Sequence, residues 1–251
     1  MSIVVDDASI DRVRVVAISN PSRGNALTKN MIAELARAFD ECPTNVVGVI
    51  LKGDFASDSF CTGIDLRHAA DVFAMANDER DVRDPSMAIA EFQRPIACVA
   101  HGKAINAGLE LALACDVVVA SACASFEDTH SAIGIAPSWG LSVNLPNNVG
   151  VMNAKAMSAF GEVVSGTRAA AIGLAWRCER TKEEAFGRCV EMMERVKANA
   201  ENGSVVSKRC IDEGMDLGAK RAKERSRAFE QYREEATARF EAYGRRRRSK
   251  L

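Results

Sequence analysis

Residues 101–116, HGKAINAGLELALACD, predict the end of a strand, a tight loop and a helix. The preceding residues, 95–100, form a short apolar run with the length and flanks of a buried strand. Gly102 and Gly108 bracket the loop, where we expect the backbone to approach another part of the chain closely. The residues after Gly108 are good helix formers, and a single carboxylate, Glu110, interrupts their apolar surface.

The start of this helix is suited to an oxyanion. Backbone N–H groups in a first helical turn have no intrahelical partner and lie at the positive end of the helix dipole. They can therefore stabilise negative charge on an oxygen, while a carboxylate about one turn away moves a proton. The lysine and glycine pattern of a phosphate-binding P-loop is missing, so the stretch indicates chemistry at a carbonyl group.

The composition is typical of a soluble globular protein with a sizeable core. The chain has 251 residues, of which 47% are hydrophobic and 27% are charged. A formal net charge of −1 gives no overall attraction to nucleic acid. Residues 1–11 have neither the basic start nor the apolar run of a signal peptide, and no stretch approaches the length of a membrane span.

The eight cysteines are predicted to be reduced structural thiols in a reducing compartment. They stand alone in the sequence, without a CxxC motif or a nearby Cys/His cluster, at positions 42, 61, 98, 115, 123, 178, 189 and 210. Several lie inside apolar runs, where a thiol behaves as a small hydrophobic group. No metal site is expected.

The hydrophobic pattern predicts a β/α core followed by a helical C-terminal region. Strands are predicted at 13–19, 46–52, 95–100 and 116–120, and Thr28 is predicted to cap a helix. Residues 67–92 are mostly helical in pattern, and residues 132–146 are rich in Gly and Pro and therefore loop-like. Helices are predicted at 150–160, 167–173, 182–199, 203–213 and 220–242. The predicted division is a core over 1–195 and a helical region over 196–251.

Four motifs carry a resemblance to a known family. They are NPSRGNAL at 20–27, FCTGIDL at 60–66, HGKAINAGLELALACD at 101–116 and F-x-D-T-H-x-x-x-G-x-x-P-x-W-G at 126–140. With these motifs in this order, the chain resembles the crotonase family, the enoyl-CoA hydratase/isomerase group, over nearly its whole length. The resemblance implies an α/β fold that is a crotonase-like spiral of ββα units, with a C-terminal helical trimerisation region. It also implies an acyl-CoA thioester substrate. Because coenzyme A is part of that substrate, no separate cofactor is expected.

The resemblance implies an oxyanion hole made by the backbone N–H groups of Ile64 and Ala107. The family more often has Gly at the second position, but Ala107 keeps its N–H, and two such donors lower the barrier by several kcal/mol. The implied substrate-binding residues are Arg23, Ala26, Thr62, Gly63, Asp65, Gly108 and Trp139.

Some of these residues have a second interpretation. Arg23 either meets CoA phosphates or is simply solvated. Asp65 is more consistent with capping the turn after Gly63. Trp139 either lines the acyl pocket or belongs to the core. His101 and His68 are both interpreted as structural or surface residues.

Family hydratases use two glutamates, and this chain matches only one of them. Glu110 falls on the first position, while the second falls on His130. A neutral imidazole can accept a proton from water and, once charged, return one. Asp128, two residues earlier in an extended segment, would lie on the same side and orient the ring.

The leading prediction is an enzyme that hydrates trans-2-enoyl-CoA to 3-hydroxyacyl-CoA. The alternatives are an enoyl-CoA double-bond isomerase and an acyl-CoA-binding family member with little turnover. The isomerase is less favoured because some family isomerases rely on a carboxylate at the position of His130.

The C-terminal sequence predicts location and assembly. Ser249, Lys250 and Leu251 form a Ser-Lys-Leu tripeptide, the address read by the peroxisomal import receptor. The expected location is the peroxisome or a related organelle such as the glycosome. The helix at 220–242 carries a narrow apolar strip, which we expect to pack on the core or on a neighbouring subunit in a homotrimer or a dimer of trimers. Neither a nucleic acid nor a membrane is an expected partner.

Overall fold

The structure is a computed structural model that describes residues 1–67, 84–200 and 202–227, together with residues 229, 239 and 245. The strands, in chain order, are β1 (Ser2–Ile10), β2 (Val13–Ser19), β3 (Gly48–Gly53), β4 (Ser59–Cys61), β5 (Ile96–Ala100), β6 (Lys103–Ile105), β7 (Val117–Ser121), β8 (Ser125–Glu127), β9 (Val164–Ser165) and β10 (Arg177–Glu179).

The helices follow the strands and fill the C-terminal part of the chain. They are α1 (Lys29–Asp40), α2 (Pro85–Glu91), α3 (Ala107–Ala114), α4 (His130–Ile133), α5 (Leu141–Phe160), α6 (Gly166–Ile172), α7 (Lys182–Ala198) and α8 (Gly203–Gly214), with a 3-10 turn at Pro21–Arg23. A further helical stretch covers residues 217–227.

Two sheets stand at the centre of the molecule. The larger one has the strand order β1-β2-β3-β5-β7-β10, and the smaller one has the order β4-β6-β8-β9. In the larger sheet only the pair β1 and β2 is antiparallel. The connections β3 to β4, β5 to β6 and β7 to β8 each pass from the larger sheet to the smaller one, so the chain winds between the two sheets.

Both faces of the larger sheet are covered, which explains its continuous apolar strands. In β2, Val16 and Ile18 join the core that contains α1 and α3. Val13 and Val15 point to the opposite face and pack in a second core with Cys189 of α7. All eight residues of α3 are buried, so the helix is apolar all round except for its one carboxylate.

Gly102 and Gly108 lie where two backbone segments touch, as the sequence predicts. A Cβ added to Gly102 would lie 1.7 Å from the Asp58 carbonyl oxygen, and one added to Gly108 would lie 2.0 Å from the Cys61 carbonyl oxygen. No side chain fits at either distance, so only glycine allows the loop and α3 to pack against the segment around β4.

The four predicted strands are confirmed, with bounds that differ by one or two residues. Thr28 caps α1 as predicted, since its hydroxyl accepts the Met31 N–H at 3.4 Å. β1 and the short strands β4, β6, β8, β9 and β10 were not predicted from the sequence. For the predicted helix at 220–242, the structure describes residues 220–227 and the single residues 229 and 239.

The prediction of a loop over 132–146 is wrong at both ends, because α4 covers its first two residues and α5 covers its last part. The helix α5 begins at Leu141 and contains Pro146. Its first turn is capped from a distance, because Glu224 accepts the N–H groups of Gly140 and Ser142. A second glycine, Gly150, then interrupts the helix with φ 76° and ψ 158°.

The division at 195/196 stays a prediction, and α7 runs across it. The predicted targeting residues Ser249, Lys250 and Leu251 and the residue His68 lie outside the described residues. Among the helices that the structure describes, no segment has the length and hydropathy needed to cross a bilayer.

Candidate active site

The first predicted oxyanion donor, Ile64, lies on the loop after β4. Leu27 donates its N–H to the Gly63 carbonyl at 2.8 Å and accepts the Asp65 N–H at 2.9 Å. In such a parallel bridge the residue between the two partners directs its own N–H to the opposite side. The Ile64 N–H therefore points away from Leu27.

The second predicted donor, Ala107, is the first residue of α3 and lies beside this loop. A Cβ added to Gly63 would lie 3.7 Å from the Ala107 nitrogen and 3.1 Å from the Ile105 carbonyl oxygen. The two predicted donor peptides are therefore neighbours in space, although they lie 43 positions apart in the sequence. As the first residue of a helix, Ala107 has an N–H without an intrahelical acceptor.

Asn106 connects this donor to the rest of the site. Its backbone has φ 48° and ψ −113°, outside the left-handed helical region that asparagine tolerates best, and such a conformation costs about 1–3 kcal/mol. The side chain accepts the Thr129 N–H and donates to the Thr129 hydroxyl, both at 2.7 Å. Asn106 was missed by the sequence analysis, although asparagine in a tight loop between two glycines, Gly102 and Gly108, is a recognisable sign of a positive φ.

Glu110 lies one turn into α3 and is 2% exposed. Its Oε1 accepts the Trp139 N–H at 2.8 Å, and its Oε2 lies 3.9 Å from Nε2 of His130. Burial raises the pKa of Glu110 to about 7, and the negative charge of Glu224 adds to the rise, while His130 opposes it. A carboxyl with such a pKa can both accept and release a proton near neutral pH.

His130 faces Glu110 from the first residue of α4. Its Nδ1 donates to Asp128 Oδ1 at 2.6 Å, and its backbone N–H donates to the same oxygen at 3.0 Å. Burial alone would lower the pKa of His130, but the Asp128 hydrogen bond and the charges of Glu110 and Glu224 outweigh it, so the pKa is raised.

Asp128 is ionised and fixes the orientation of this imidazole. Burial would raise the pKa of Asp128, but its hydrogen bond with His130 lowers it. Because an ionised carboxylate only accepts hydrogen bonds, Nδ1 carries a proton and Nε2 is the nitrogen that exchanges a proton on the side of Glu110.

Glu224 is a third buried carboxyl near the pair, and it was not predicted from the sequence. It belongs to the helical stretch 217–227 and caps the first turn of α5, as described above. Burial raises the pKa of Glu224. Its neighbour Arg225 forms a 2.7 Å ion pair with the buried Asp84, which caps α2. No sequence motif marks these residues, because their partners lie about 80 to 140 residues away.

The remaining predicted residues lie around the donors in different roles. Arg23 is exposed, and its carbonyl accepts the Thr62 hydroxyl at 3.3 Å. Asp65 accepts the Arg67 N–H at 3.1 Å, which is the turn-capping contact predicted for it. Ala26 is buried and its carbonyl accepts the Asn20 amide. The side chain of Trp139 belongs to the core.

In the described part of the chain, no three His, Cys, Asp or Glu side chains come together in a metal-binding arrangement. All eight cysteines are free thiols. The site itself brings two titratable side chains, Glu110 and His130, close to the start of α3, an arrangement suited to a substrate whose carbonyl becomes negatively charged.

A family model described as enoyl-CoA hydratase/isomerase matches residues 9–247. The chain belongs to the enoyl-CoA hydratase/isomerase family. This confirms the family and the α/β fold class predicted from the four motifs. The family model spans both the core and the helical C-terminal region.

A relative and two solved structures illustrate the similarity. The probable enoyl-CoA hydratase 1, peroxisomal, of Arabidopsis thaliana is 35% identical over 88% of this chain and 83% of that protein. The crystal structure of an enoyl-CoA hydratase/isomerase from Pseudoalteromonas atlantica has a TM-score of 0.85 at 26% identity, over 100% of this chain and 98% of that one. A monofunctional enoyl-CoA isomerase from M. smegmatis has a TM-score of 0.71 at 27% identity, over 85% of this chain and 93% of that one.

Proposed function

We propose that this family member hydrates trans-2-enoyl-CoA thioesters to 3-hydroxyacyl-CoA. The observation that carries the proposal is the buried pair of Glu110 and His130, 3.9 Å apart and close to the start of α3. Hydration needs one group to take a proton from water and another to return a proton to carbon. The pair supplies both functions beside the backbone donors at Ile64 and Ala107.

In the proposed reaction, the Glu110 carboxylate takes a proton from water as the water oxygen bonds to C3 of the substrate. The C2–C3 double-bond electrons move onto the thioester, and the N–H groups of Ile64 and Ala107 hold the resulting enolate oxygen. His130 in its charged form then gives a proton to C2, which completes the addition of one water molecule. A proton passing from Glu110 Oε2 to His130 Nε2 restores the starting state.

The raised pKa values of both groups support this assignment. Near neutral pH, Glu110 has a pKa of about 7 and can return the proton that it has accepted. The raised pKa of His130 means that the imidazolium needed to protonate C2 is populated. General acid–base groups tuned in this way contribute typically ~10²–10⁴-fold in rate.

A direct assay separates the proposal from its alternatives. Purified protein incubated with crotonyl-CoA and with a longer trans-2-enoyl-CoA should bleach the absorbance of the conjugated thioester and yield a 3-hydroxyacyl-CoA by mass spectrometry. A product of unchanged mass with a moved double bond would instead support an isomerase. Binding of the substrate without product would support an acyl-CoA-binding protein.

The matched variant is Glu110→Gln, which keeps the shape and an acceptor for the Trp139 N–H but cannot take a proton. Hydration should fall by at least ~10²-fold while the dissociation constant for the CoA ester changes little. Retention of the wild-type rate would contradict the role given to Glu110.

We further propose that the protein works in a peroxisome or a related organelle such as the glycosome. Two observations support this: residues 249–251 have the sequence Ser-Lys-Leu, which an import receptor binds at a free carboxyl terminus, and the Arabidopsis relative is described as peroxisomal. Deleting these three residues from a fluorescently tagged chain should move it to the cytosol without changing turnover. Unchanged organellar fluorescence would contradict the proposal.

We also propose a homotrimer or a dimer of trimers. Helix α8 and the residue that follows it expose apolar side chains, since Val206, Ile211 and Met215 are 46%, 66% and 42% exposed. We expect a neighbouring subunit to cover at least part of this apolar surface. Light scattering at micromolar concentration should give a mass of three or six chains, and a monomer would contradict this.

A further inference from the structure

We propose that Asn106 is a positioning residue that holds the Ala107 donor, Glu110 and His130 in one arrangement. This inference rests on the proposed function, since it concerns how the same site is built. Asn106 does not touch the reacting atoms itself. It acts through its covalent neighbour, through a helix hydrogen bond and through its side chain.

The first two connections run through the backbone. The peptide that joins Asn106 to Ala107 carries the proposed oxyanion donor, so the Asn106 backbone angles set the direction of that N–H. The Asn106 carbonyl also accepts the Glu110 N–H at 2.8 Å, which fixes the first turn of α3 and hence the origin of the Glu110 side chain. The Asn106 N–H in turn donates to the Glu127 carbonyl at 3.1 Å.

The third connection is a two-way hydrogen bond to Thr129, the residue before His130. Asn106 Oδ1 accepts the Thr129 N–H, and Asn106 Nδ2 donates to the Thr129 hydroxyl, both at 2.7 Å. Thr129 is the N-cap residue of α4, and its side chain makes no capping hydrogen bond to that helix. The reciprocal pair therefore ties the start of α4, where His130 lies, to the start of α3, where Glu110 lies.

The side chain of asparagine is suited to this task for two separate reasons. It tolerates a positive φ better than most residues, and its amide offers a donor and an acceptor at one short distance from the backbone. Glycine would permit the backbone conformation but lacks the amide. Alanine has neither property, so the two substitutions separate the contribution of the backbone from that of the side chain.

The kinetic test uses variants at both ends of the pair. Asn106→Gly removes both hydrogen bonds, whereas Thr129→Val removes only the bond to the hydroxyl, because the backbone N–H of residue 129 still donates to Asn106 Oδ1. For the enoyl-CoA, kcat should fall by about 100-fold in Asn106→Gly and by about 10-fold in Thr129→Val, with KM within about threefold in both. Thr129→Ser keeps the hydroxyl and is the matched control, with kcat within about twofold of wild type. Asn106→Ala, which adds backbone strain, should lose the most activity, and thermal unfolding shows whether it folds.

A second readout does not depend on turnover. The ring of His130 is followed by NMR titration, with His130→Gln used to identify its signal. Around this ring stand Asp128 of its own segment, Glu110 of α3 and Glu224 of the helical stretch 217–227. In Asn106→Gly and Thr129→Val the pKa of His130 should fall by about half a pH unit or more, because its distances to Glu110 and Asp128 change.

The outcomes distinguish this inference from the proposed function. Loss of kcat with an altered His130 titration in both variants, and neither in Thr129→Ser, supports the positioning role. Wild-type kcat and an unchanged titration in both Asn106→Gly and Thr129→Val overturn it. If the wild type does not hydrate any enoyl-CoA, the proposed function fails, and the His130 titration alone tests the positioning inference. An altered titration in Asn106→Gly and Thr129→Val then supports it, and an unchanged titration in both overturns it.

Discussion

His101 and His130 are both buried, at 1% and 7% exposure, yet their environments push their protonation in opposite directions. His130 is surrounded by Asp128, Glu110 and Glu224, and its pKa is raised. Burial lowers the pKa of His101 to about 4, and its charged neighbours include the lysines Lys182 and Lys52.

The two rings also differ in their hydrogen-bond partners, since His130 is bonded to a carboxylate and His101 only to a backbone carbonyl. His101 donates from Nε2 to the Ser57 carbonyl at 3.2 Å, its Nδ1 has no hydrogen-bond partner, and Phe55 packs edge-on against its ring. The Phe55 ring in turn lies under Lys52, whose Nζ is 4.1 Å from the ring centroid. The comparison teaches that burial disfavours the charged form of both rings, and that at His130 the facing carboxylates outweigh burial.

The largest expected difference between the two histidines is in the reaction rate. His130→Gln should lower kcat for an enoyl-CoA by ~10²-fold or more, because it removes the proposed second proton carrier. His101→Gln keeps a donor for the Ser57 carbonyl and should leave kcat within about threefold of wild type. Steady-state kinetics on both variants checks this, and equal losses would abolish the distinction.

The second expected difference is in the pH dependence of the free energy of unfolding. His101 has a folded pKa of about 4 against an ordinary 6.5, so the unfolded chain binds more protons and stability falls as the pH drops through this window. The full effect corresponds to roughly 3 kcal/mol. Urea unfolding between pH 7 and pH 4 should therefore show wild type losing more stability than His101→Gln.

His130 should show the opposite sign. Its folded pKa is raised, so its stabilising contribution is fully present below its unfolded pKa and is lost as the pH rises through the folded pKa. The difference in free energy of unfolding between wild type and His130→Gln should accordingly shrink with increasing pH above neutrality. Parallel pH profiles for the two variants would contradict the comparison.

A smaller effect is expected from Asp128→Asn, which removes a charge beside His130 but leaves an amide oxygen to accept from its Nδ1. The pKa of His130 should fall, and kcat should drop by about tenfold because less imidazolium is available. NMR titration of the ring, with the His101 signal as an internal control, measures the first effect. An unchanged pKa of His130 would show that Asp128 does not stabilise the positive charge of the His130 ring.

The smallest effect concerns Lys182, whose positive charge contributes to the lowered pKa of His101. Lys182→Met removes that charge and should raise the pKa of His101 by less than about one pH unit, because burial remains the main cause. The His130 titration should not move. A rise of the His101 pKa to the ordinary histidine value would mean that the charge of Lys182, and not burial, is the main cause of the lowered pKa.

Much of the fold follows from local sequence. The apolar runs at 13–19 and 95–100 predict buried strands because both faces of the larger sheet are covered, and Thr28 caps α1 as its residue type suggests. The short strands β4, β6, β8 and β9 could not be predicted in this way. Two or three residues give no periodicity, and their pairing depends on which segments the larger sheet brings together.

The sequence by itself determined the family and the α/β class, and it predicted a site at Ile64, Ala107, Glu110 and His130, because each belongs to a motif with local spacing. Only the tertiary structure decided how these residues meet. The contact between Asn106 and Thr129 spans 23 positions, and the cap that Glu224 places on the start of α5 spans more than 80. The pKa values of Glu110 and His130 follow from those contacts, since burial and neighbouring charge are properties of the folded chain and not of any segment of it.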